Sequence, residues 1–199
     1  NSISLTDLEG GGIVEASARG LDAPAVPPSS SIGWTSMTRL RLVGFSANIQ
    51  RPSKTRTLVE AIAAEAAVRV PVDVRIFDLV DAGPGLGGAF SRDQLSLPAR
   101  RIVEAVEEAD ALVVGTPVYK GAYTGLFKHL FDLVSPEALA GKPVALAATG
   151  GGSRHALVVE HSLRPLFGFF TALTVPTAVY ASDPDFRDGG LDSVVIRQR

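Results

Sequence analysis

A regular alternation of strand and helix patterns from Met37 onward limits the fold of this chain more than any other feature. Two segments in this part, 111–114 and 144–148, consist almost entirely of apolar residues. Such short apolar runs are typical of parallel strands that are covered by helices on both faces. Strands that alternate with helices predict a parallel sheet between two helical layers. We therefore predict an α/β fold.

Five strands are predicted, at residues 40–45, 72–76, 111–114, 144–148 and 173–181. In the second, apolar residues alternate with Asp73 and Arg75, as is typical of a half-covered edge strand. The fifth contains Pro176, which has no backbone N–H for a sheet ladder and is tolerated mainly at an edge. Strands two and five at the edges favour a doubly wound parallel sheet with the order 2-1-3-4-5.

Four helices are predicted between these strands, at residues 57–68, 97–108, 125–134 and 155–170. In the third helix, apolar side chains cover most of the circumference, which indicates either deep burial or a contact between subunits of a homo-oligomer. In the fourth helix, Pro165 has no N–H to donate to the carbonyl of His161, four residues earlier. We therefore predict a bulge or kink at this position.

The two ends of the chain differ from this pattern. Residues 1–36 are rich in Gly, Pro and Ser and show no sustained helix or strand period, so we predict a disordered or extraneous tail before one domain at 37–199. A fifth covering helix is expected to begin near Leu191, only a few residues before Arg199. This spacing predicts a domain that is truncated at its C-terminus.

Composition excludes several classes of function. The chain has no cysteine, which excludes disulfides, iron–sulfur centres, zinc–cysteine clusters and thiol nucleophiles. A net charge of -2 provides no global positive field for nucleic acid or anionic lipid. The apolar runs are too short to span a bilayer as a helix. The three histidines are too scattered for metal ligation, so we predict no metal site. We expect a soluble, cytoplasmic protein that binds small molecules locally.

The loop after the first strand has the composition of a phosphate site. It combines Ser46, Ser53 and Thr55 with the cations Arg51 and Lys54, directly before a predicted helix. Free N–H groups and the helix dipole at a helix N-terminus favour an anion. An ordinary capped turn would need only one Ser or Thr. The loop lacks the glycine frame of a triphosphate-binding loop, so we predict that it binds the phosphate of a mononucleotide.

Two further loops lie at the same edge of the predicted sheet. They follow strands three and four, at residues 116–121 and 148–153. In open α/β sheets, ligands bind beyond the carboxyl ends of the strands at the switch point, here between strands one and three. Backbone amides, glycines and an apolar Pro-Val rim suit a flat ring. Four aspartates between residues 183 and 192 are interpreted as a solvated loop.

These loops resemble those of the NAD(P)H-dependent FMN reductase family, which is flavodoxin-like. The chain is most similar to reductases that supply two-component alkanesulfonate monooxygenases. The likeness covers about residues 39–185 and rests on the runs 52–55, 116–128 and 148–151, with His155. It implies the following site: the FMN phosphate held by Ser46, Ser53, Lys54 and Thr55, with Arg51 in the same loop; the isoalloxazine lined by Pro117, Val118, Tyr119 and Lys120; and its pyrimidine edge beside Thr149, Gly150 and Gly151.

The resemblance also implies a reaction and partners. FMN would accept hydride from NADPH or NADH, and because the flavin carries this chemistry, no side-chain acid or base is assigned as catalytic. The family implies a homodimer or homotetramer and a partner monooxygenase. Related reductases carry a helix insertion with an aromatic residue near His161, which makes His161 a candidate modulator of flavin exchange. An ordinary interface histidine is the alternative.

Three other functions remain open at the level of sequence. The first is a quinone or azo reductase that retains its FMN, and the second is a non-enzymatic electron carrier similar to flavodoxin. Such carriers usually present a strongly acidic face, which the mild net charge does not favour. The third is a structural or regulatory α/β module without flavin.

Overall fold

A parallel β-sheet forms the centre of the structure, a computed structural model that describes residues 39–199. The tail predicted at 1–36 lies outside the described residues. The strands are β1 (Leu40–Ser46), β2 (Val72–Asp78), β3 (Ala111–Pro117), β4 (Pro143–Gly150), β5 (Leu173–Thr174) and β6 (Val179–Ser182). Their order β2-β1-β3-β4-β5 confirms the predicted topology, and the short strand β6 also pairs with β4.

The fifth strand differs from its prediction. The segment 173–181 is not continuous but forms β5 and β6, both parallel to β4. Pro176 lies between the two pieces, where its missing N–H removes no hydrogen bond from the ladder. The predicted position at the edge of the sheet is confirmed, whereas the predicted single strand is wrong.

Helices cover both faces of the sheet. The helix α1 (Lys54–Arg69) packs on one face, and the opposite face carries the helical segments at 97–108, 125–132 and 159–169. Successive residues of β1 point to opposite sides, as the pleat requires, so that Leu42 faces α1 and Val43 faces the other layer. The remaining helices are α2 (Leu79–Ala82), α3 (Leu97–Glu108), α4 (Gly125–Asp132), α5 (Arg164–Phe169) and α6 (Val194–Arg197).

Two glycines allow α1 to lie close against the sheet. A Cβ atom on Gly115 of β3 would lie 2.5 Å from Cγ2 of Val59, and one on Gly44 of β1 would lie 2.9 Å from its Cγ1. Val59 could not move away cheaply, because it is fully buried. The missing side chains therefore fix the distance between α1 and the two central strands.

The opposite layer contains an aromatic cluster that explains the apolar character of α4. Phe127 and Phe131 are buried, with ring centroids 4.8 Å apart, and both contact Phe45 and Phe167. Leu126, on the outer side of α4, remains 38% exposed. The helix is thus deeply covered on one side, as one of the two interpretations predicted.

The bulge predicted before Pro165 is confirmed. Residues Val159–Leu163 form a π-helix, in which the N–H of Arg164 donates to the carbonyl of Val159, five residues earlier. The wider turn accommodates a proline that cannot make the bond to the fourth preceding residue. The helix predicted at 155–170 starts later than predicted: a 3₁₀ turn occupies Ser153–His155, and the π-helix followed directly by α5 forms the helical segment up to Phe169.

Within residues 39–199, no helix combines the length and apolar character that crossing a membrane would require. The hairpin β7 (Phe186–Arg187) and β8 (Gly190–Leu191) follows the sheet. It is succeeded by α6, close to the position where a fifth covering helix is predicted.

Candidate functional site

A crevice of about 370 Å³ opens at the carboxyl ends of β1, β3 and β4. The three loops predicted to converge there do so. Nine of the predicted site residues line it: Ser53, Lys54, Thr55, Pro117, Val118, Tyr119, Thr149, Gly150 and Gly151. The crevice is also lined by five residues that were not predicted: Asn48, Ile49, Gln50, Pro52 and Asp183.

Two hydrogen bonds join the three loops at the base of the crevice. The hydroxyl oxygens of Thr55 in α1 and Thr149 in β4 are 2.6 Å apart. The N–H of Val118, just after β3, donates to the carbonyl of Thr149 over 2.8 Å. Both threonines are buried, so water does not compete strongly for these bonds. The relative positions of the loops are therefore set by the sheet and the first turn of α1.

The first turn of α1 faces the crevice with a positive end. Ser53 caps the helix by accepting a hydrogen bond from the N–H of Arg56, which explains why α1 begins at Lys54, three residues before its predicted start. This turn contains no acidic residue, and its Lys54 lines the crevice, whereas Arg56 is paired with Asp78 outside it. The helix dipole and the free N–H groups add to the positive potential of Lys54. An anion is the ligand that this end of the crevice favours.

Lys54 has a carboxylate partner across the crevice. Its Nζ lies 2.8 Å from Oδ1 of Asp183, which directly follows β6. Sequence reasoning assigned Asp183 to a solvated loop and missed this contact. Its place in the sequence could have indicated the contact. Asp183 follows the fifth predicted strand, and the carboxyl end of that strand lies at the same edge of the sheet as Lys54.

The loop after β4 leaves its backbone accessible to a ligand. A Cβ atom on Gly150 would lie 2.3 Å from the hydroxyl of Tyr180, so any other residue there would push that side chain out of its position. That hydroxyl donates to the carbonyl of Gly152 over 2.6 Å and holds the loop. A Cβ atom on Gly151 would meet nothing closer than 4.0 Å. Tyr180 therefore holds the loop in place, and the space beside Gly151 leaves its backbone accessible to a ligand.

On the other side, the loop after β3 forms a small turn. Tyr119 and Ala122 exchange two backbone hydrogen bonds, and the central residues Lys120 and Gly121 have φ values of 54° and 86°. These positive φ values are typical of a tight type I′ turn. The turn directs Val118 and Tyr119 into the crevice as a partly apolar rim, while Lys120 is exposed and does not line it.

Ser46 and Arg51 do not line the crevice either, and His161 lies elsewhere. Ser46 is fully buried, and its hydroxyl donates to Oδ1 of Asn48 over 2.6 Å. Arg51 turns away to Asp78, and His161 is exposed on the π-helix, where it lines a separate groove. The predicted direct contact of Ser46, Arg51 and Lys120 with a ligand in the crevice is therefore not supported by their positions.

Asp78 holds the loop after β1 in place from below. Its carboxylate is fully buried and accepts hydrogen bonds from the side chains of Asn48 (3.0 Å), Arg51 (2.8 Å) and Arg56 (2.9 Å). Burial opposes ionisation, but these hydrogen bonds outweigh it and hold the pKa of Asp78 well below its usual value. Asp78 follows the second predicted strand, and sequence reasoning did not identify it.

The chemistry of the lining is that of binding rather than proton transfer. The crevice presents hydroxyls, side-chain and backbone amides, an apolar rim and one ammonium that is paired with one carboxylate, and no histidine is among the described residues that line it. Residues 39–199 contain no group of three or more His, Asp or Glu side chains placed to hold a metal ion. The arrangement can hold a ligand with one anionic end and one flat, partly apolar end.

Comparisons with known proteins agree with this geometry. Residues 40–186 match the family described as NADPH-dependent FMN reductase. The chain is 46% identical over 160 residues to the NADH-dependent FMN reductase SfnF of Pseudomonas fluorescens, covering 80% of this chain and 86% of the relative. It is 45% identical over 159 residues to an FMN reductase (NADPH) of Pseudomonas aeruginosa, with the same coverage. An oxidoreductase structure from Corynebacterium diphtheriae is 35% identical, with a TM-score of 0.69 and coverage of 80% and 90%.

The buried position of Asp78 predicts a large effect of its removal. We expect Asp78→Asn to reduce the free energy of unfolding at pH 7 by about 2–4 kcal/mol, because two arginines lose their buried counterion. The folded-state pKa is lowered, so this stabilisation is complete above the unfolded-state pKa of about 3.9 and is lost as the pH falls below it. Urea denaturation at pH 7 and near pH 3 should show the difference between wild type and variant shrinking on acidification.

The matched control is Asp73→Asn, which removes an exposed carboxylate paired with Arg39. It should change stability by no more than about 0.5 kcal/mol. Equal effects of the two substitutions would contradict the role assigned to Asp78.

Proposed function

The chain belongs to the NADPH-dependent FMN reductase family, and we propose that it treats FMN as a substrate, releasing reduced flavin to a separate monooxygenase. It is an NAD(P)H:FMN oxidoreductase. The observation that carries the proposal is the crevice, in which the positive first turn of α1 lies opposite the accessible loops after β3 and β4.

The residues present fit FMN at both ends of the crevice. We propose that Ser53, Lys54 and Thr55, with the free N–H groups of their helix turn, hold the phosphate. The rim formed by Pro117, Val118 and Tyr119 would contact the flavin ring, and the segment Thr149–Gly151 would offer backbone groups to its polar edge. The open space in front of Gly151 supports this assignment, since a flat ring needs close approach to the backbone.

The side chains contribute binding and orientation. When FMN is bound, its flavin supplies the capacity to accept hydride from the nicotinamide. Lys54 and the capped helix turn anchor one end, and the apolar rim limits water on one side of the ring. No side chain is required to move a proton in this scheme. We propose both NADH and NADPH as donors, because the names of the two relatives use one each.

Release of reduced flavin is supported by the exposure of the crevice. Tyr119 at its rim is 49% exposed, and the side chain of Lys54 is 48% exposed. A cofactor that is retained is usually enclosed by its site, which buries most of the ligand surface. The open lining therefore favours exchange over permanent binding, and a partner monooxygenase would take up the product.

A turnover experiment tests this proposal. Under anaerobic conditions, the protein is mixed with excess NADPH or NADH and a large excess of FMN, and the loss of flavin absorbance is followed. We expect many FMN molecules to be reduced per subunit. Reduction that stops at one flavin per subunit would instead indicate a reductase that retains its flavin. Binding of FMN without oxidation of either nucleotide would indicate an electron carrier.

The phosphate assignment predicts a specific loss of affinity. We expect the double variant Ser53→Ala, Lys54→Ala to bind FMN roughly tenfold or more weakly, because charge-assisted hydrogen bonds to the phosphate are lost. Riboflavin, which has no phosphate, should bind the variant and the wild type equally. Fluorescence titration measures both constants.

Arg69→Ala is the matched control, because it removes a cation from the last turn of the same helix, away from the crevice. It should leave FMN affinity unchanged. An unaltered FMN affinity in the double variant would refute the assignment of the phosphate to this turn.

We also propose that the protein forms a homo-oligomer through the surface around the π-helix. A groove between α4 and the π-helix is lined by Phe169, which is 69% exposed. Leu157, two residues before the π-helix, is 66% exposed. Exposed apolar side chains gathered in this way favour a protein interface. His161 lines the same groove, and its role in flavin exchange stays a prediction.

This surface predicts a change in assembly. Phe169→Glu should lower the molar mass in solution, because an interface does not accommodate an unpaired carboxylate. Analytical ultracentrifugation of the variant and the wild type measures this change. Val68→Glu, on the opposite face of the sheet and 83% exposed, should leave the mass unchanged. An identical mass for Phe169→Glu and the wild type would place the interface elsewhere.

A further inference from the structure

We propose that Asp183 is a positioning residue for Lys54, which it holds in the absence of a flavin phosphate, and that it thereby keeps FMN affinity low enough for release. This inference rests on the proposed function, since it requires the phosphate to bind at the first turn of α1. On this inference, Asp183 helps to decide whether the flavin is exchanged or retained.

The pair between Lys54 and Asp183 is formed inside the crevice. Nζ and Oδ1 are 2.8 Å apart, and both residues line the crevice. Among the described residues of that lining, Asp183 is the single carboxylate. The two side chains are 48% and 59% exposed, so water and solutes reach the pair. An exposed ion pair of this kind is weak enough for an incoming anion to replace it.

The fold places the carboxylate there by fixing the backbone on both sides. Ser182, the residue before Asp183, pairs with Gly150 across β6 and β4. Asp185 then closes a capping box, in which its Oδ2 accepts from the N–H of Ser182 (2.8 Å) and from its hydroxyl (2.9 Å). Asp183 starts the 3₁₀ turn that this box stabilises. Its position opposite Lys54 is therefore built into the sheet edge.

The neighbouring carboxylates are engaged away from the crevice. Asp185 belongs to the capping box, and Asp192 lies 3.2 Å from Nε of Arg187 in the hairpin region. Asp188 is exposed in the turn of the hairpin, with a φ of 50°, and does not line the crevice. Of the four aspartates in this segment, only Asp183 faces Lys54 in the described structure.

A phosphate that binds Nζ of Lys54 has to displace Asp183 from it. The displacement breaks the existing ion pair and returns the Asp183 carboxylate to water. The free energy of the broken pair is subtracted from that of FMN binding, so the pair lowers FMN affinity. Riboflavin, which lacks the phosphate, leaves the pair intact.

The test is Asp183→Asn, which removes the charge and keeps the shape. We expect FMN to bind up to about fivefold more tightly, because an exposed ion pair of this strength no longer has to be broken. Dissociation of FMN, followed by stopped-flow fluorescence, should slow by a similar factor. Riboflavin affinity should not change. Asp188→Asn makes the same change of net charge outside the crevice and should leave FMN affinity unchanged, and asparagine tolerates the positive φ there.

A second substitution shows whether Asp183 acts through Lys54. In a Lys54→Ala background, Asp183→Asn should have little effect on FMN affinity, because no ammonium remains for the carboxylate to hold. An equal gain in both backgrounds would indicate simple repulsion and overturn the proposal. So would unchanged or weaker FMN binding by Asp183→Asn. Asp183→Ser provides a second removal of the charge, and circular dichroism verifies that each variant is folded.

These outcomes separate the inference from the function beneath it. If the wild type binds FMN and Lys54→Ala weakens that binding, the phosphate assignment stands, even when Asp183→Asn changes nothing. If Lys54→Ala leaves FMN affinity unaltered, the phosphate lies elsewhere and both proposals fail.

Discussion

The close packing of α1 on β1 and β3 is the constraint on which the site depends. Gly44 and Gly115 leave no side chain between the helix and the strands, and Val59 fills that space instead. The same approach brings Thr55 within 2.6 Å of Thr149 at the end of β4. A helix held a few ångströms farther out would present the same residues, but its positive first turn would no longer face the loops after β3 and β4.

Two kinds of ion pair surround this turn, and burial separates their roles. Asp78 is fully buried and bound by several donors, so its pairs with Arg51 and Arg56 form a permanent part of the loop. The pair of Lys54 with Asp183 is half exposed and made by one contact. A buried carboxylate that loses its partners is strongly destabilised, whereas an exposed one regains water. The first arrangement therefore suits structure, and the second suits exchange with a ligand.

The lining of the crevice explains how a reductase can work without a catalytic acid or base. Hydride chemistry belongs to the flavin, so the protein has to hold one anionic end and one flat ring in a fixed relation. The rigid sheet edge does this through backbone groups and hydroxyls, which keep their character across a wide range of pH. Whether the flavin is released or retained can then be set by a single charge near the phosphate, as we infer for Asp183.

The strand order, the edge positions of β2 and the fifth strand, the bulge before Pro165 and the convergence of three loops follow from the sequence alone. Each depends on local patterns: apolar runs, alternation, a missing N–H, and the rule that parallel strands end at one edge. Family membership also followed, because short runs such as 116–128 are specific. Only the tertiary structure showed that Ser46 and Arg51 turn away from the crevice and that Asp183 turns into it. Those directions are decided by partners distant in the chain, Asp78 for Arg51 and Lys54 for Asp183, and no local pattern encodes which partner a charged side chain meets.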